Sequence, residues 1–79
     1  MNPEKIKQLI ETGLPGANAM VQGDDGTHFE AVIVSDEFAG KTMLQQHQLV
    51  YKTLGDLMGK EIHALSMQTL TKEEWQQKQ

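Results

Sequence analysis

The chain has no cysteine in its 79 residues. That excludes a disulfide framework, a thiolate nucleophile, a zinc knuckle and an all-cysteine iron–sulfur site, and it fits a reducing compartment. Arginine is absent as well, because all seven basic residues are lysines in a chain of formal net charge −4. Arginine is the commonest reader of guanine and a frequent phosphate clamp, so its absence counts against a nucleic-acid binder. No apolar run approaches the ~20 residues of a membrane span. The opening MNPEKIKQLIETG has no long apolar core and carries acids, unlike a secretory signal. These absences lead us to expect a cytoplasmic protein with no membrane contact. The length suits one domain over 1–79, with a polar tail at 76–79 expected to fray.

The residues present alternate between helical and strand periodicities. Asn2 can cap a helix whose first turn holds Pro3 and whose one face holds Ile6, Leu9 and Ile10, with Gly13 as its stop. A strand is predicted over 17–22, a turn at GDDG (23–26), and a second strand over 28–34, rich in Val, Ile and Phe. After the loop SDEFAGK, Thr42 and Gln45 form a capping box. The helix they open carries Leu44, His47, Val50, Tyr51, Leu54, Leu57 and Met58 as an apolar stripe, and Gly59 is its expected end. A third strand is predicted over 62–69. Thr71 and Glu74 then open a short helix holding Trp75, which reads as a packing residue. The order is helix, strand, strand, helix, strand, helix. The hairpin is antiparallel, and the 42–58 helix is long enough to return the chain for a parallel third strand. The expected fold is α+β, a small three-stranded mixed sheet with helices on one face.

The histidines carry the best functional clue. If strands two and three are neighbours, His28 and His63 open them at one edge, and two neutral imidazoles there make half of a metal site. His47 lies on the apolar stripe, where a half-buried histidine bonded to backbone or sheet is the ordinary reading. Asp24, Asp25 and Glu30 lie near His28 in sequence, but GDDG makes a turn more often than a cation loop, and the glutamate of a calcium hand is missing. Ser35 and Ser66 have no evident base, and neither a Walker loop nor a dinucleotide fingerprint is present. An enzyme is therefore not expected. Met43, Met58 and Met67 read as core filler.

Taken together, these segments resemble the BolA family. The likeness runs from the 23–26 turn to Trp75, through DGTHFEAVIVSDEFAGKTMLQQHQLVY, EIHALSMQTLT and KEEW. Phe38 with Gly40-Lys41, His47 with Val50-Tyr51, Ile62-His63-Ala64 and Trp75 fall where that family's signature falls. The branch most similar is the IbaG (YrbA) type, with histidine in the hairpin loop where other branches carry cysteine.

The resemblance implies a fold related to type II KH domains. It also implies a non-enzymatic partnership with monothiol CGFS glutaredoxins, in which a [2Fe-2S] cluster is shared with the glutaredoxin and glutathione and none is held tightly by the isolated chain. The ligands it carries onto this chain are His63 and His28. Two imidazoles opposite two thiolates resemble Rieske ligation. Imidazole must be neutral to bind, so a cluster held this way weakens in acid, which fits a link to acid stress. The solvent side of the 42–58 helix and the loop with Phe38, Gly40 and Lys41 are candidate contact surfaces. The family's other reading is a DNA-binding transcription regulator, here through Lys41, Lys52 and Lys60. Gln46-His47-Gln48 lacks the arginines that often flank this histidine in the family, and EFAGK is not the GXXG clamp of KH domains; both count against DNA. A homodimer is the remaining partner expectation.

Overall fold

Asn2 opens the first helix as its sequence suggests, since the Asn2 side chain accepts from the Lys5 amide at 2.8 Å. In the computed structural model, which describes residues 1–78, six main elements follow one another. They are α1 (Pro3–Gly13), β1 (Asn18–Gln22), β2 (His28–Val34), α2 (Met43–Leu54), β3 (Ala64–Leu70) and α3 (Lys72–Lys78), with short 3-10 turns at Asp36–Phe38 and Gly55–Leu57. The strands form one sheet in the order β1-β2-β3. β1 pairs antiparallel with β2, and β2 pairs parallel with β3 in the register His28 to Ala64 through Val34 to Leu70. The adjacency that the histidine argument needed is therefore present.

The core lies between the sheet and two helices. Alternate strand residues Ala19, Phe29, Ala31, Ile33 and Leu65 point to one face, where Ile6 and Ile10 of α1 and Val50 and Leu54 of α2 bury them. Trp75 of α3, half-buried, lines a shallow depression with Asn18, Met20 and Val34. Those three alternate with Ala19 and Ile33, so α3 sits at the sheet's end and reaches its other side. The helix continues to Lys78 through the stretch expected to fray; residue 79 of that stretch lies outside the described residues.

α1 ends at Gly13 as the sequence indicates, and a Cβ there would lie 2.6 Å from the Thr53 methyl carbon of α2, so the glycine also permits close helix approach. Later boundaries differ from the sequence reading, each for a local reason. α2 ends at Leu54, not at Gly59, because Gly55 turns the chain with φ of 55°. The apolar stripe is consequently interrupted: Val50 and Leu54 are buried, while Leu44 is 68% exposed and Tyr51 40%. Residues 62 and 63 belong to the approach to β3, where the Ile62 amide donates to the Leu57 carbonyl and closes a tight turn. Both capping boxes form as expected, Thr42 with Gln45 and Thr71 with Glu74.

The outer edge of β1 is fastened to α1. Glu11 accepts from the Ala19 amide at 3.0 Å and from the Lys7 ammonium at 2.9 Å, and the same ammonium donates to the Ala19 carbonyl at 3.1 Å. The Ala19 bond and then Lys7 hold the Glu11 carboxyl below its ordinary value of 4.5. Because the folded state lowers this pKa, its contribution is full above 4.5 and is lost as pH falls through the folded value. Glu11→Gln is expected to cost about 1 kcal/mol at pH 7, with the gap to wild type narrowing as pH falls below 4.5. Urea unfolding at pH 7 and at a series of acid pH values measures this; a gap that stays constant across the series would show that the carboxylate charge is not what holds β1.

Candidate metal-binding edge

The site is built by the hairpin turn and the approach to β3. Asp25 shapes the turn: its Oδ1 accepts from the Thr27 amide at 2.9 Å and the His28 amide at 2.8 Å, the local pattern expected of an aspartate two and three residues ahead. Its other oxygen, Oδ2, lies 2.7 Å from His28 Nδ1. A carboxylate only accepts, so Nδ1 carries the proton in this contact, and a neutral ring then has its lone pair on Nε2. These bonds, the His28 amide foremost, then the Thr27 amide and the ring, hold the Asp25 carboxyl well below the usual carboxylate range. The Thr27 carbonyl reaches the other way and accepts from the amides of His63 at 2.9 Å and Ala64 at 3.2 Å. Two residues of one turn, Asp25 and Thr27, thus hold the backbone of His28 and of His63 respectively.

Both rings are exposed, and their centroids lie 6.3 Å apart at an interplanar angle of 45°. His63 lies just before β3 and so escapes burial on the face that Leu65 and Met67 take. Among the described residues no group of three or more histidine or carboxylate side chains could hold a metal ion. The pair therefore offers two ligands of the four that a tetrahedral site needs. Asp25 is engaged as turn former and orients the His28 ring through Nδ1, a role that residue types alone did not distinguish from ligation. Asp24 and Glu30 line the shallow polar depression beside His28, and Glu30 contacts Gln22 at 3.4 Å.

The remaining candidates are placed apart. Lys41 and Lys52 share a shallow surface on α2 with Gln45, Gln48, Leu49 and Tyr51. Residues 39–55 contain no Asp or Glu, so this face is basic although the chain is acidic. Gly40 is exposed in a left-handed turn with φ of 74°. Lys60 sits in the turn ahead of β3 and not among that surface's lining residues. Phe38 corrects an expectation: it is fully buried, so it anchors the loop from beneath and offers no contact surface. His47 is half-buried as expected, but its ring makes no hydrogen bond among the described residues. The neighbour Gln46 ties α2 to its surroundings instead. Its amide nitrogen donates to the carbonyls of Phe38 at 3.1 Å and Lys41 at 3.0 Å, and its oxygen accepts from the Thr69 hydroxyl of β3.

The structure thus defines a small α+β domain of mixed sheet that displays an exposed histidine pair at one corner. The family model described as BolA-like protein matches residues 8–74, and the chain belongs to the BolA family. It is 37% identical over 75 residues to the DNA-binding transcriptional regulator BolA of Vibrio cholerae, covering 95% of this chain and 67% of that one. It is 34% identical over 77 residues to human BolA-like protein 1, covering 98% of this chain and 53% of the relative, so it spans about half the length of that protein. The solved structure of a bolA protein homologue from Coxiella burnetii superposes with a TM-score of 0.87 at 45% identity, covering 96% of this chain and 97% of that one. No helix among the described residues is long and apolar enough to cross a membrane.

Proposed function

We propose that this BolA-family chain is a non-enzymatic partner of a monothiol CGFS glutaredoxin and shares with it a labile [2Fe-2S] cluster as cargo for iron–sulfur trafficking or sensing. The observation that supports this is the exposed His28–His63 pair with rings 6.3 Å apart. Its donor set fits one iron of such a cluster: two imidazoles, one already oriented by Asp25 so that Nε2 is free. Glutathione and the glutaredoxin cysteine supply the thiolates that this chain lacks. Imidazoles grip iron less firmly than thiolates and must be neutral to do so, which suits release in acid and a role in acid stress.

Adding the protein to cluster-loaded, glutathione-bound glutaredoxin is expected to change the visible absorption and circular dichroism. The double variant H28A/H63A, checked for native far-ultraviolet dichroism, is expected to remove that change. Spectra identical to those given by wild type would remove both histidines from the ligand set.

A second reading is supported by the Vibrio cholerae relative, whose name states DNA binding and transcriptional regulation. In this chain the basic α2 surface with Lys41 and Lys52 is the part that suits a phosphate backbone. This reading expects an affinity that falls steeply with salt and drops in K41A/K52A. Equal, negligible binding of several duplexes at 50 mM salt disposes of it.

A further inference from the structure

The two edges of the sheet are treated differently. At the β1 edge, the outward amide and carbonyl of Ala19 are both occupied by Glu11 and Lys7. At the β3 edge, the hydrogen-bond parity can be read directly. The Ala64 amide donates inward to Thr27, and the Leu70 carbonyl accepts inward from Ser35. In a parallel ladder alternate residues turn both backbone groups to the neighbour, so Ala64, Ser66, Gln68 and Leu70 bond to β2. Leu65, Met67 and Thr69 turn theirs outward, where no strand of the described residues lies beyond β3. Among the described residues no loop or side chain bonds to these outward groups.

An unmasked edge of this kind is a template for another strand, and proteins that do not use such an edge blunt it with charge, proline or a bulge. The sequence ALSMQTL has no charged residue and no proline or glycine, and its register with β2 is unbroken from residue 64 to 70. We propose that the outer edge of β3 pairs antiparallel with β3 of a second copy of this chain, about a twofold axis through Met67. The self-pairing is compatible in charge and shape. Met67 meets Met67 of the second copy, and Leu65 meets Thr69, so that three residue pairs exchange about six backbone hydrogen bonds. Ser66 and Gln68, exposed on the uncovered face, lie opposite each other twice, and both are polar and neutral. No like charges meet anywhere along the seven residues. A single strand edge buries less than a standard interface, so the dimer is weak and depends on concentration.

Sedimentation equilibrium and amide exchange of the full chain test this. The average mass is expected to rise toward the dimer with concentration. The amides of Leu65, Met67 and Thr69 gain protection with it, while those of Ala64, Ser66 and Gln68 are protected throughout. In S66K/Q68K, lysines face each other across the axis, and dimerisation weakens on the order of tenfold. S66K/Q68E places opposite charges at the same two positions and restores it. H63A dimerises as wild type does, which separates this surface from the metal-binding edge. A monomer at millimolar concentration, a dimer without the alternating protection, or a folded S66K/Q68E that stays as weak as S66K/Q68K would overturn the proposal; a β3 edge that takes up strands of other proteins alone gives the first of these.

Discussion

Phe38→Ala is expected to leave the protein barely folded. The side chain is fully buried, and truncation of such a phenylalanine costs about 3–5 kcal/mol. A domain of this size has on the order of 4–12 kcal/mol of stability in all. Phe38 also closes the 3-10 turn after β2, and its carbonyl is one of two in the loop that Gln46 holds. Its loss therefore empties the core and slackens the tie between α2 and the loop. The thermal midpoint, followed by far-ultraviolet dichroism, should drop by at least about 12 °C. A drop of only a degree or two would mean that the ring lies at the surface, the role its place in the EFAGK loop first suggested.

Gly23→Ala is expected to damage the candidate metal-binding edge itself. A Cβ at this position would lie 2.5 Å from the His28 carbonyl oxygen and 2.8 Å from Phe29 Cδ1. The φ of Gly23 is not positive, so the cost is one of space and not of backbone conformation. A backbone oxygen has no rotamer by which to escape, so the start of β2 must move and carry His28 away from His63. Overpacking of this kind costs about 1–3 kcal/mol. Gly40→Ala is the control: its φ of 74° carries the strain, nothing lies within contact distance, and the loop is far from the histidines in sequence. Nuclear magnetic resonance of the two rings reads the difference. Gly23→Ala should shift the His28 and His63 ring signals and weaken the spectral response to cluster-loaded glutaredoxin, whereas Gly40→Ala should lower the melting point alone. Unshifted rings in a Gly23→Ala protein that melts like wild type would show that the turn is looser than these distances say.

Capping boxes, strand periodicity and turn chemistry act within a few residues, so each was legible without a fold. Asn2, the Thr42–Gln45 pair and the Thr71–Glu74 pair all cap where their spacing indicated. The span 28–34 matched β2 residue for residue. Phe38 was misread, and the packing role of Gly13 at the end of its helix was missed, for one reason: both depend on what approaches them from elsewhere in the chain. Local sequence says that a glycine is permissive, but only the α1–α2 crossing at Thr53 shows that space and not conformation is needed at Gly13. EFAGK is polar enough to pass for a solvated loop, and only packing shows the phenylalanine turned inward. Asp25 was visible as a turn residue, and its hold on the His28 ring was not.

By itself the sequence determined most of which segments are helix and strand, the charge balance, and that the chain has imidazoles and carboxylates but no thiolate to offer a metal, because composition and short-range periodicity are properties of the chain alone. Tertiary structure decided that β3 lies beside β2, that His28 and His63 meet at one exposed corner, and that one sheet edge is tied down while the other is bare. Those outcomes depend on contacts between residues far apart along the chain, which local pattern does not encode.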